Sequence, residues 1–240
     1  MSVPNTSRPM GWSHIVRLGL VQACLGAMVV LATSTLNRIM VVELALPALV
    51  PGLLVGFHYA IQMVRPRMGY GADRGRRCTP WMIGGVLTLA IGGTMAAIGT
   101  TQMAHSQAQG LALCLLAFGL IGLGVSAAGT SLLTLMSKRV PETMRAPAAT
   151  TVWVMMIMGF AITAVTIGKL IEPYSPERLI DVTAGLGVFI VLLTTLALWG
   201  LESGTQTVSG TDEGQQMRSL GDFRQALNQV WQDPQARLFT

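Results

Sequence analysis

The chain alternates between long apolar runs and short polar or basic clusters. Six runs, at residues 18–36, 48–64, 82–100, 110–136, 148–168 and 182–201, approach or exceed the roughly 20 apolar helical residues needed to cross a bilayer core of about 30 Å. They predict an all-α integral membrane protein with a cytoplasmic N-terminus over 1–17, a six-span transmembrane bundle over 18–201 and a cytoplasmic tail over 202–240. The first run is long and five more follow it, so it reads as an uncleaved helix rather than a signal peptide. The fourth is long enough to tilt.

Beyond the sixth run the pattern changes. Glu202 to Gln216 is rich in Ser, Thr, Gly and Gln and reads as a linker. Leu220, Phe223, Leu227, Val230 and Trp231 then recur at helical spacing. They predict an amphipathic helix lying on the inner membrane face or on the cytoplasmic ends of the spans. Asp233 and Pro234 suit a helix N-cap and first turn, and Ala236, Leu238 and Phe239 begin a new apolar pattern. The expectation is the truncated start of a seventh span.

Composition agrees with a membrane protein. Only 11% of the 240 residues are charged and 51% are hydrophobic, against about 25% charged in soluble domains. Cys24 and Cys114 lie inside apolar runs and Cys78 in a basic loop, so no disulfide framework or metal spacing emerges. The net charge of +5 reports topology rather than affinity for nucleic acid. Thirteen of the Lys and Arg residues fall on one side of the spans, and only Arg38, Lys169 and Arg178 on the other. The positive-inside bias therefore predicts that both termini are cytoplasmic.

No phosphate-cradling loop, nucleophile triad or carboxylate pair appears, so an enzyme is not expected. Within the predicted spans His58 is the only ionisable side chain of the kinds that serve as relays or ligands. At 100° per residue Gln62 and Arg65 share its face, while Gly52 and Gly56 lie nearly opposite. That GxxxG pair is expected to pack against a neighbouring helix and leave His58 toward a cavity. Gly92 with Ala96, Gly93 with Ala97, and Gly122 with Ser126, Thr130 and Thr134 are likewise read as packing faces. Arg38 and Glu43 sit five apart, too far round the helix for a local bridge, and are candidates for contacts with other spans, headgroups or a partner.

The loop Gly69-Tyr70-Gly71-Ala72-Asp73-Arg74-Gly75-Arg76-Arg77 resembles the cytoplasmic signature of the major facilitator superfamily. That signature runs Gly, three variable residues, Asp, Arg or Lys, one variable residue, Gly, Arg, then Arg or Lys. Gly69, Asp73, Arg74, Arg76 and Arg77 fit its chemistry, with one residue missing before the basic pair. The resemblance implies a half-bundle of that fold, with these residues as a gating loop whose charge pairs close one face in one conformation and part in another.

A longer stretch narrows the likeness. Asn37-Arg38-Ile39-Met40-Val41-Val42-Glu43-Leu44, Pro47-Ala48-Leu49-Val50-Pro51-Gly52, His58-Tyr59, Arg65-Pro66-Arg67 and Thr79-Pro80-Trp81 resemble the PucC and LhaA family of bacteriochlorophyll-delivery proteins. The likeness continues into Phe223-Arg224-Gln225-Ala226-Leu227-Asn228-Gln229-Val230-Trp231. It implies an assembly factor of the photosynthetic inner membrane that binds or delivers bacteriochlorophyll to light-harvesting subunits. Its cargo is the pigment and its surroundings the lipid bilayer. Members of that family have twelve spans, so a second six-span half or a homodimer is an expected partner. The alternatives are half of a solute transporter and a truncated remnant. On the pigment reading, His58 is a candidate ligand for the bacteriochlorophyll magnesium. On the plainer reading it hydrogen-bonds within the bundle.

Overall fold

The computed structural model describes residues 10–68 and 77–202. Helix α1 spans Trp12–Val42, with a π-helical stretch at Leu31–Thr35. Helix α2 covers Leu49–Ile61 and continues into a 3-10 turn at Gln62–Val64. The remaining helices are α3 at Thr79–Gln102, α4 at Gln107–Arg139, α5 at Glu142–Ile171 and α6 at Pro176–Leu198. Five are long and apolar enough to cross a membrane by themselves; the exception is α2, with 13 residues. Together with the turns that extend it, α2 stays helical over 49–68, about 30 Å at 1.5 Å per residue. The expected all-α integral-membrane half-bundle is therefore what the chain forms.

Most of the observed helices extend beyond the predicted spans, although α6 ends at Leu198, short of the predicted 201. The first run was expected at 18–36 and forms a helix over Trp12–Val42; the sixth, expected from 182, begins at Pro176. Apolar runs mark the hydrocarbon. The backbone keeps its hydrogen bonds by staying helical through the polar interface as well. Local caps set the true ends: the Ser175 hydroxyl accepts from the Arg178 N–H at 3.1 Å, and Pro176 occupies the first turn. Gly200, at φ 69°, closes the end of α6 in the left-handed conformation that glycine adopts without strain.

Packing is closest where side chains vanish. A Cβ added to Gly124 would lie 2.6 Å from the Gly85 carbonyl, and one on Gly85 would lie 2.6 Å from the Ala128 nitrogen. The backbones of α3 and α4 thus touch, forming the most extensive helix pair. The small-residue faces behave as expected: Gly92 meets Ala117 and Ile121, and Gly93 meets Met28. The large apolar residues Leu87, Ile91, Leu116, Ile157, Ile162, Val188 and Leu192 are exposed, which suits a lipid solvent.

Met10, Cys78, Arg139 and Glu202 come together at one end of the bundle. The Met10 N–H bonds the Arg139 carbonyl at 3.2 Å. The Arg17 guanidinium donates to Ala197 O at 2.6 Å and also to Trp199 O. The Glu202 carboxylate accepts from the Cys78 and Thr79 N–H groups, each at 3.0 Å, so a residue after α6 caps the start of α3. Removing it by Glu202→Ala is expected to lower stability by about 1 kcal/mol, read as an earlier unfolding midpoint in detergent.

Candidate functional site

The inner face of α2 carries a ladder of polar groups. Pro51, Leu54 and His58 are its buried positions, spaced three and four apart, and Gln62 and Arg65 continue that stripe. His58 is fully buried. The Gln62 Nε2 and His58 Nε2 atoms lie 2.7 Å apart, and Arg65 reaches the Gln62 Oε1. A guanidinium only donates, so Oε1 must face Arg65 and the amide NH2 must face His58. His58 Nε2 is then the acceptor, and its ring proton sits on Nδ1. Nδ1 is enclosed near the Phe118 backbone without closing a well-formed bond.

This ladder forms one wall of a cavity of about 240 Å³ bounded by α1, α2, α4 and α5. Helix α1 contributes Gln22, Leu25, Gly26 and Val29; α4 contributes Val125, Gly129 and Leu133; α5 contributes Val152, Trp153, Met156 and Phe160. Gln22 donates to the Met156 sulfur at 3.2 Å, and its buried Oε1 has no partner. Tyr59 and Trp153 both line the cavity and are more than half exposed, so they flank its mouth. A larger cavity of about 410 Å³ lies between α3 and α6 on the opposite flank. Thr94 is its only polar lining side chain, and it bonds its own helix at Ala90 O. The ionisable and amide groups converge on the smaller cavity.

His58, Gln62 and Arg65 come together as their shared face requires. The expected packing of Gly52 and Gly56 does not occur: nothing lies within 4 Å of a Cβ at either position. The contacts of α2 are used by its His58 side, where Gly122 of α4 abuts the His58 carbonyl and Ile61, so the glycine face is left open. Arg38 and Glu43 lie at the far end of α1. Arg38 pairs with Glu172, at the end of the neighbouring α5, at 3.6 Å, with both side chains exposed; such a pair contributes little. Tyr174, in the same connection, has its hydroxyl pKa raised by burial and then by the nearby Glu43 and Glu177 charges.

Of the gating-loop residues, Arg77 is exposed just before α3; Gly69, Asp73, Arg74 and Arg76 lie outside the described residues, as does the tail from 203 onward. His14 is partly buried on α1, because that helix starts earlier than its apolar run. Gln22, Trp153 and Phe160 were missed as cavity residues. Gln22 had a signal, being a lone amide inside the first apolar run.

A bundle of long apolar helices around a cavity with one polar wall defines the class: a multi-pass helical membrane protein. The chain belongs to the PUCC family, whose profile, described as "PUCC protein", matches residues 35–240. It is 46% identical over 231 residues to the "Bacteriochlorophyll synthase 44.5 kDa chain" of Rhodobacter capsulatus, covering 96% of this chain and 53% of that one. It is 30% identical over 200 residues to "Protein PucC" of Cereibacter sphaeroides, covering 78% of this chain and 44% of that one. A "Protein PucC" of Rhodobacter capsulatus is also 30% identical, over 205 residues. The chain spans about half the length of the curated relatives it matches. No solved structure matches it.

Proposed function

We propose that this chain is a non-enzymatic assembly factor that binds bacteriochlorophyll and passes it to light-harvesting subunits in the photosynthetic inner membrane, with both termini cytoplasmic. The observation that carries the proposal is the PUCC match over residues 35–240. The name of the 46% identical relative, a bacteriochlorophyll synthase chain, supports pigment as the cargo. The cavity supplies an apolar wall with aromatic side chains at its mouth. Its open side, between α2 and α5, is where a light-harvesting subunit or a second six-span half would receive or enclose the pigment. The loop with Gly69, Asp73, Arg74, Arg76 and Arg77 would gate access from one face.

The first experiment is purification of the tagged chain in mild detergent from a bacteriochlorophyll-producing host, beside an unrelated membrane protein treated identically. Pigment near stoichiometric levels, absent from the control, is the expected result; a colourless folded preparation overturns the proposal. His58 is the proposed magnesium ligand through Nε2, which requires the Gln62 amide to withdraw from that lone pair. His58→Phe is then expected to lower retained pigment at least about tenfold. Unchanged pigment content removes His58 from the site.

A further inference from the structure

A separate groove of about 400 Å³ opens where the end of α2 meets the first turns of α3. Met68 of α2 lines it together with Trp81, Gly84 and Thr88 of α3, and Leu123 and Ala127 of α4 complete the lining. Nothing lies within 4 Å of a Cβ added to Gly84, so the missing side chain keeps the groove open. Apart from the Trp81 indole N–H, Thr88 is the only polar lining side chain, and its hydroxyl already donates to Gly84 O at 2.8 Å. The interior therefore offers an occupant apolar surface and nothing else.

Length narrows the choice of occupant. Pro80 and Thr88, both in the lining, are eight residues apart, about 12 Å of helix rise. Starting at the first turn of α3, the groove ends within one leaflet, about 15 Å or half of the hydrocarbon core. A partner's transmembrane helix would need a face along the whole bilayer, whereas an acyl chain stops where its leaflet does.

The mouth of the groove is basic. Arg67 immediately precedes Met68, and Arg77 lies three residues before Pro80; both are exposed. Among the described residues no carboxylate pairs with either. Trp81, exposed in the first turn of α3, carries the kind of ring that sits at headgroup level. Guanidinium groups, an interfacial indole and an apolar trough thus follow one another in the order phosphate, interface and chain. Basic pockets between membrane helices take anionic headgroups, and the planar fork of arginine matches phosphate oxygens.

We propose that this groove is a binding site for an anionic phospholipid, one acyl chain lying along α3 between Met68 and Ala127 and the phosphate held by Arg67 and Arg77. The lipid bridges the ends of α2 and α3. Helix α4 presents Leu123 and Ala127 to the groove but Val125, Gly129 and Leu133 to the His58 cavity, so the site stands apart from the pigment reading.

The test titrates the purified full chain, in neutral detergent, with phosphatidylglycerol or phosphatidylcholine brominated on the acyl chains, which quench a tryptophan they touch. The share of quenching that Trp81→Phe removes belongs to the groove. At Trp81 the anionic lipid is expected to bind at least about tenfold more tightly than the zwitterionic one, the scale set by two basic groups near the membrane surface. Arg67→Gln with Arg77→Gln should bring phosphatidylglycerol down to the affinity of phosphatidylcholine and leave the latter unchanged. The single variants, each losing part of the preference, serve if the double variant elutes as aggregate. Gly84→Leu, which grows into the groove, should weaken both lipids at Trp81. Glycerol 3-phosphate, which carries the anion without a chain, should not compete. Equal quenching of Trp81 by the two lipids would mean ordinary annular contact and overturns the proposal. So does an anionic preference that survives loss of both arginines, undiminished quenching in Gly84→Leu, or competition by glycerol 3-phosphate.

Discussion

Gly124→Leu is expected to leave almost no folded protein in the membrane. The glycine sits where α3 and α4 touch backbone to backbone, and a Cβ there would lie 2.6 Å from the Gly85 carbonyl and 2.7 Å from the Leu89 nitrogen. Side chains can turn away from an intruding methyl group, but main-chain atoms can move only if the whole helix moves. Overpacking of ordinary cores costs about 1–3 kcal/mol. Here the close approach itself supplies the packing that holds membrane helices together, and it joins the most extensive helix pair of the bundle. Gly84→Ala is the control: it lies one residue from Gly85, on the exposed side of α3, with nothing within 4 Å of the added Cβ. The measurement is the amount of monodisperse protein recovered by size exclusion after mild solubilisation. Equal recovery of Gly124→Leu and Gly84→Ala would show that the two helices separate freely.

Gly129→Phe tests the cavity instead of the fold. Gly129 is on α4 and lines the same space as His58, Gln62 and Trp153, yet no atom lies within 4 Å of a Cβ placed on it. A phenyl group can grow into the 240 Å³ void without displacing backbone, and replacing a mid-helix glycine also favours the helix. Recovery of folded protein should therefore match the unaltered chain. Retained pigment, measured by absorbance per protein, should fall at least about tenfold, the loss of roughly 1.4 kcal/mol or more of binding. Gly52→Phe is the companion variant, because its surroundings are equally open but lie on the outer face of α2. If Gly52→Phe strips pigment and Gly129→Phe does not, the pigment rides on the outside of α2 and the cavity is not its site.

These two glycines show why the fold was legible in outline and the site only in part. Gly124 and Gly129 are five residues apart in the same helix of small and apolar residues, and nothing local separates the one that is locked from the one that is open. The difference is made by α3, which presses on one side of α4, while the cavity lies on another. Gly52 and Gly56 make the same point in reverse: their spacing fits helix packing, but α4 covers the His58 side of α2 and leaves the glycines bare.

His58, Gln62 and Arg65 were legible because a helix places residues four and three apart on one face whatever surrounds it. Gln22 on α1 and Trp153 and Phe160 on α5 joined them only through the folding of the chain, more than thirty positions away on one side and about ninety on the other. The Glu202 cap on α3 was equally hidden, since the carboxylate and the amides it caps are 123 and 124 positions apart.

By itself, the sequence determined the class of protein and the likeness to its family. Runs of apolar residues must become helices when no water is present to satisfy the backbone, and short-range periodicity assigns each helix its faces. Only the tertiary structure decided which of those faces meet, because that depends on contacts between residues far apart in the chain. The cavity, the capped end of α3 and the pairing of Arg38 with Glu172 all arise at that level.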